Sequence, residues 1–307
     1  MNILHATLSS AMRMSTPFFF AGLGGLIAQH CGVYNFALEG QLLMGAFFGF
    51  LASLLTGSLF VGFIVAILVG AVCGWFLGWI CIRFGAHQMI VGLGMNTLFA
   101  GITAFASRLL ASKVDNVNLE KTLPNMFKGP VTKIPVVGSL FLDQNVITII
   151  AIIMFIIYTF FVYRTQYGLS LLATGEHPHA AQTAGIDVFK YRYTAMILSG
   201  AITAIGGAYM TLTQVGRFAE DMSGGRGWIA IAAIALGRWH PIGVFFGCML
   251  FGLANAVANQ VQVFNFGIPA QVAQMIPYVL TILTLLTIRG KSSHGPASLM
   301  KPFMKNR

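Results

Sequence analysis

Long runs of uninterrupted apolar sequence govern what this chain can become. Eight of them, at about 12–30, 36–56, 59–82, 89–111, 144–163, 193–215, 242–263 and 270–288, are long enough to cross a bilayer as a helix, which takes about 20 residues. In lipid every backbone N–H and C=O has to be satisfied within the chain, so a spanning structure is either helical or a closed barrel. Barrel strands alternate apolar and polar residues, and these runs do not. The composition agrees: 57% of residues are hydrophobic and 8% charged, where soluble domains carry about a quarter charged. The expected fold is an all-α, polytopic transmembrane helical bundle of about 8–10 helices, counting broken or re-entrant segments. The 35 glycines suit close helix–helix approach in a bilayer.

A ninth run, "GWIAIAAIALG" at 227–237, is apolar but too short to cross at ordinary tilt. It is expected as a broken, half or re-entrant helix, which is tolerated only where protein or a water-filled cavity covers its backbone. Residues 112–143 form one long polar connection with Pro124, Pro130 and Pro135, expected as an extramembrane loop. The chain therefore divides into one transmembrane domain over 1–290 and a basic tail over 291–307. The N-terminal "MNILHATLSSAMRMST" lacks the compact basic start and cleavage site of a signal peptide, so the first apolar segment is expected to stay as an anchor.

The net charge of +10 would point to nucleic acid in a soluble protein. Here lysine and arginine sit between and after apolar runs, where they set orientation, and no nucleic-acid partner is expected. Arg164, Lys190 and Arg192 in the 164–192 loop, with Arg289, Lys291, Lys301, Lys305 and Arg307 in the tail, belong on the cytoplasmic side. Both can lie there only if the 227–237 run counts as a crossing. Four lysines in 112–143 argue the other way, weakened by the loop's length and its acids. The side of the N-terminus depends on whether 30–40 is a true loop and stays open. Cys31, Cys73, Cys81 and Cys248 form no CxxC pair and read as buried small apolar side chains.

Two stretches interrupt the apolar pattern with chemistry. In "GVYNFALEGQLLMGAFF", residues 32–48, Asn35 and Glu39 stand four apart, which would place them on one face of a helix. Glu39 is the one acid within an apolar run. A carboxylate at the bilayer centre costs about 2.5–3.5 kcal/mol on insertion scales, so it either lines a path and holds a broken helix, or caps backbone amides at the interface. Asn96, in "VGLGMNTLF", is a third intramembrane polar candidate, for a pathway or for an interhelical hydrogen bond.

The second stretch is "GEHPHAAQTAGIDVFKYRY", residues 175–193. Proline is favoured at the first turn of a helix and glycine just past its end, so Pro178 and Gly185 bracket a helix of about two turns. Glu176 precedes it, where the helix dipole favours negative charge. Ala180, Ala181 and Ala184 would share one face without bulk. A helix this short is not stable alone in water, so it docks on a partner or is a surface turn. No G-x-x-x-x-G-K-[ST] occurs, so no P-loop nucleotide site is expected in this chain. The seven histidines are scattered, and neither a metal set nor a catalytic set is expected.

These motifs, with "SGGRGWIAIAAIALGRWHP" at 223–241, resemble the permease subunit of bacterial ABC importers for branched-chain amino acids, simple sugars and nucleosides. The resemblance covers about residues 10–290. The form Gly32, Asn35, Glu39, Gly40 is most similar to the nucleoside and simple-sugar branch. It implies that Gly175, Pro178, Ala180, Ala181, Gly185 and Ile186, with Glu176 and Ala184 beside them, form a cytoplasmic coupling helix. His177 departs from the family's usual asparagine, which leaves the helix cap in doubt. It further implies that the Gly224–Gly227 turn and the helix after it help build the pathway, so Asn35, Glu39, Asn96, Arg226 and Gly227 are the candidate pathway residues. Expected partners are an ATP-binding subunit that holds the ATP and magnesium, a second permease chain, identical or paralogous, an extracytoplasmic solute-binding protein, and the lipid of a bacterial cytoplasmic membrane. No cofactor is expected in this chain. The competing reading is a stand-alone secondary transporter or channel.

Overall fold

The computed structural model describes residues 2–112, 118–119, 122–123, 144–263, 269, 272, 275–287 and 295–303. Most of the 112–143 connection, the start of the 270–288 run, and residues 288–294 and 304–307 of the tail region lie outside the described residues. Eleven helices appear among them: α1 (Asn2–His30), α2 (Leu38–Thr56), α3 (Leu59–Gly78), α4 (Gln88–Ala111), α5 (Val146–Arg164), α6 (Gln166–Glu176), α7 (Pro178–Thr183), α8 (Val188–Tyr209), α9 (Arg226–Leu236), α10 (Pro241–Val263) and α11 (Ile276–Thr287). Helices α3 and α8 each run on into a π-helical turn, at Trp79–Arg83 and Met210–Val215. Among the described residues, six helices are long and apolar enough to cross a membrane. The chain is a multi-pass membrane protein with a polytopic helical fold.

The bundle has an inner and an outer shell. Helix α8 packs against α1, α2 and α3, and α1 also packs along α10. Of the spanning window of α8, 83% is buried, against 22% of that of α4. The outer faces carry large exposed apolar side chains such as Phe60, Leu68, Ile90, Phe105, Ile156 and Phe160. Those surfaces suit lipid, where apolar exposure costs nothing. Packing between helices then depends on close approach rather than on escape from water. The seam between α3 and α8 shows this, since a Cβ on Gly200 would collide with the carbonyl of Gly70.

Side-chain contacts identify the two ends of the bundle. At one end His30 of α1 bonds Tyr158 of α5 (2.8 Å) and the carbonyl of Trp239, between α9 and α10 (2.7 Å). Helices α6 and α7 and the C-terminal residues 295–303 lie at this end, where Ser298 N donates to Gly175 O. At the other end the carbonyl of Arg13 accepts from Gln214 (2.9 Å). The 164–192 region and residues 295–303 of the tail therefore share an end, and α9 is what brings the chain back to it. The 11 residues of α9 span about 16 Å at 1.5 Å per residue, about half a hydrocarbon core. The segment 216–225 completes that crossing.

Gly200→Leu is expected to force α3 and α8 apart at a cost of about 1–3 kcal/mol, read as a lowered thermal-unfolding midpoint in detergent. Gly101→Leu, where a side chain meets open space, should leave the midpoint unchanged.

Candidate functional site

Two helices begin inside the bundle, and each brings unpaired N–H groups with it. The first turn of any helix leaves its amides without internal partners, and in lipid these need acceptors. The N-terminus of α9 receives them from Glu39. Its carboxylate accepts from Gly225 N through Oε1 (2.7 Å) and from Gly227 N through Oε2 (2.6 Å). Gly224 and Gly225 both have positive φ, 52° and 80°, a left-handed turn that glycine adopts without strain and that aims the two amides at one carboxylate. Gly227 lies against the backbone of Glu39 so closely that a Cβ there would collide with it.

The N-terminus of α2 is held by α4 and α8. Asn96 on α4 accepts from Gly40 N through Oδ1 (2.7 Å) and donates to Phe36 O (2.8 Å). Gln88, at the start of α4, accepts from Tyr34 N (2.7 Å). Asn35 donates to Ser199 of α8 (2.8 Å) and to Gln41 (2.9 Å), and its Oδ1 accepts from Ala37 N (3.0 Å). The expected single helical face for Asn35 and Glu39 is corrected here. Gly32 ends α1 with φ +82°, and the Asn35 side chain closes a turn on its own backbone, so α2 begins only at Leu38. Both residues are nonetheless buried and reach the same junction by different routes.

Arg226 opens α9, and its Nη1 donates to Met222 O (2.7 Å) and Ser223 O (3.2 Å), locking the turn before the helix. It also lines a cleft of about 300 Å³ with Met222, Gly224, Asn255, Asn259 and Tyr278. Tyr278 donates to Gly224 O (3.3 Å). The cleft thus places a guanidinium, two amides and a phenol beside the glycine turn, a set suited to hydrogen-bonding a polar solute. Asn255, Asn259 and Tyr278 were not singled out from the sequence. The i, i+4 spacing of the two asparagines in "ANAVANQ" was the available signal, since it sets both on one face of α10. Farther out, Arg108 of α4 grips Glu220 through two hydrogen bonds of 2.8 and 2.9 Å. That pair tethers the 216–225 segment.

The second candidate group gathers at the other end of α9. Helix α7 is six residues long, with Pro178 in its first turn and Gly185, φ +85°, just beyond. His177 precedes it without a side-chain cap. Gly175 is buried against the carbonyl of His30, and a Cβ there would collide with it. Ala180 and Ala184 are exposed, while Ala181 is buried. The expected shared face of three alanines is therefore corrected. Ala181 packs inward on Val188 and Phe303 because the tail folds back over it. Glu176 accepts from Ala297 N (3.2 Å). Ile186 N bonds Ala181 O (3.0 Å), closing the helix end.

Discontinuous helices that begin inside a multi-pass bundle recur at the binding sites of transport proteins. The chain belongs to the permease-component family of branched-chain amino acid transport systems, whose family model matches residues 7–285. Among its relatives, the guanosine ABC transporter permease NupQ of Bacillus subtilis is 30% identical, over 99% of this chain and 98% of that one. The nucleoside ABC transporter permease NupC of Lactococcus lactis is 29% identical, over 95% and 94%. The candidate glucose ABC transporter permease TsgC13 of Haloferax volcanii is 31% identical, over 85% and 79%. A solved inward-facing conformation of a candidate metal-chelate type ABC transporter shares the fold, with TM-score 0.52 and 15% identity over 92% of this chain and 85% of that one.

Glu39→Ala is expected to cost about 3–6 kcal/mol, since two hydrogen bonds to a charged group contribute about 1.5–3 kcal/mol each. Glu39→Gln keeps one acceptor and sets an N–H against a donor, so it should fall between. Chemical-denaturation midpoints of the purified chain in detergent check the order.

Proposed function

We propose that this chain is the permease subunit of an ATP-driven importer that carries a nucleoside or simple sugar across a bacterial cytoplasmic membrane. The observation that carries the proposal is the half-helix α9, pinned on Glu39 beside a polar cleft. Its volume of about 300 Å³ falls at the lower end of small-molecule sites. Arg226, Asn255, Asn259 and Tyr278 offer donors and acceptors of the kind that sugar hydroxyls and bases use. Relatives named for guanosine, nucleoside and glucose transport support the substrate class. Asn35, Glu39, Asn96, Arg226 and Gly227 shape the pathway in this reading, chiefly by fixing backbone.

Transport requires two states with different contacts, and a ligand shifts them only through its differential affinity. In the proposed assembly two permease chains, identical or paralogous, enclose the path and an extracytoplasmic binding protein delivers solute. Two ATP-binding subunits dock on the Gly175–Ile186 segments and bind the ATP and magnesium. The exposed residues Ala180, Ala184 and Gly185 offer a face without bulk for that docking. A stand-alone ion-coupled carrier is disfavoured, because Glu39 is already committed to two amides and the family is one of transport-system components.

The tagged chain, extracted in mild detergent, is expected to bring down a P-loop ATPase in stoichiometric amount. Proteoliposomes of that complex, with the binding protein, should take up labelled guanosine or glucose only when ATP is supplied on the α7 side. Uptake that follows a proton or sodium gradient at constant ATP overturns the reading. Ala184→Trp is expected to cut ATP-driven uptake about 5-fold or more, the lower bound of typical site-to-site coupling, with no change in the thermal midpoint of the isolated chain.

A further inference from the structure

The end of the chain is built into the coupling end of the bundle rather than hanging from it. Ser298 donates to the carbonyl of Gly175 through both its N–H (2.9 Å) and its hydroxyl (2.5 Å). Arg192 of α8 is buried, and a guanidinium in that position is costly unless its donors find partners. Among the described residues the hydrogen-bond partners of its two Nη atoms come from the C-terminal segment, while Nε is left without one. Nη2 donates to Ser298 Oγ and Nη1 to Lys301 O, both at 3.4 Å, and the Phe303 ring centre lies 5.7 Å from the guanidinium carbon. Phe303 itself is buried, packed on Ala181 and Val188 and beside the rings of His179 (4.9 Å) and Phe189 (5.5 Å).

The other end of this segment reaches α9. Gly295 lies against the indole of Trp239, in the elbow between α9 and α10. Arg238 and Trp239 both have positive φ there, 54° and 57°, a conformation that non-glycine residues hold only when their surroundings impose it. Trp239 is held by Gln29 (2.6 Å) and His30 (2.7 Å) of α1. Residues 295–303 thus touch the short helix α7 with one end and the foot of α9 with the other. The head of α9 rests on Glu39.

We propose that Gly295–Phe303 is a transmission strap that ties α7 to the α9–α10 elbow, with Arg192 and Phe303 as positioning residues for transport. The proposal rests on the reading of α7 as the docking helix for the ATP-binding subunit. Helix α7 is too short to resist displacement alone. Its one buried alanine bears on Phe303, so a shift of α7 moves Phe303, and the strap carries that shift to Trp239.

The test uses the complete transporter in proteoliposomes and reads solute taken up per ATP hydrolysed. Phe303→Ala is expected to lower that ratio about 5-fold or more, the lower bound of typical coupling, while the complex still assembles and hydrolyses ATP. Phe303→Leu, which keeps apolar bulk over Ala181, should restore most of it. Ser298→Ala removes the hydroxyl without uncovering apolar surface, and it carries the same test if Phe303→Ala lowers the yield of complex. An unchanged ratio in Ser298→Ala, and in Phe303→Ala where that complex assembles, overturns the strap. A wild-type complex that shows no ATP-driven uptake overturns the transport reading instead, so the two failures are distinct.

Discussion

The carboxylate of Glu39 is the interaction on which the centre of this bundle depends. A charge inside a membrane bundle costs about 2.5–3.5 kcal/mol on insertion scales. Two short charge-assisted hydrogen bonds contribute about 1.5–3 kcal/mol each, enough to offset it. The positive end of α9's dipole adds to the same balance, since a helix N-terminus favours negative charge. The carboxylate meets a need as well as having one, because without it two amides of a half-helix would face apolar surroundings. Burial strengthens both sides of the exchange, since the low local dielectric raises the value of a made bond and the cost of a missing one.

The same logic extends outward from Glu39. The glutamate is placed by the first turn of α2, and that turn is placed by Asn96 and Gln88 from α4 and by Ser199 from α8 through Asn35. Each break in a helix is satisfied by a side chain from a different helix. The centre is therefore specified by tertiary contacts rather than by local propensity. Close α3–α8 packing through Gly70 and Gly200 keeps α8 where Ser199 can serve.

Six of the eight expected spans, those from 36–56 to 242–263, match helices long and apolar enough to cross, and they were legible because lipid imposes one simple requirement, a run of apolar residues of fixed length. The brevity of α9 was legible for the same reason. Glu39 and Asn96 stood out as polar residues in apolar surroundings, yet their partners did not, since Glu39 and Gly225 are 186 residues apart. The expected Asn35–Glu39 face failed where a turn overrode helical periodicity, at Gly32 and at Asn35's own side-chain bond to Ala37 N. The three-alanine face failed because the sequence shows the spacing of Ala180, Ala181 and Ala184 but not that Phe303 lies over one of them. The fold of α6 was missed too, since its 11 residues carry neither a spanning run nor a strong period. Arg192 read as an orientation signal, and its burial depends on a segment more than a hundred residues away.

Helix α9 is distinguished from its neighbours by how it is held. A continuous spanning helix is fixed by its own ladder of hydrogen bonds and by lipid on its outer face. Helix α9 is held at its head by Glu39 of α2 and at its foot by contacts of Trp239 with α1, while Arg108 of α4 tethers the segment leading into it. Its body also packs along α1 and α10, with Ile229, Ala230, Ala233 and Ile234 buried, so moving it repacks those faces while the hydrogen-bond ladders of the long helices stay intact. Packed interiors resist gradual deformation and rearrange between discrete arrangements, and a half-helix pinned at head and foot by named hydrogen bonds is an element whose two positions would differ in contacts that can be stated. Its strained elbow at Arg238 and Trp239 marks where the change in direction would be absorbed, at the end of the bundle where α7 and the strap also lie.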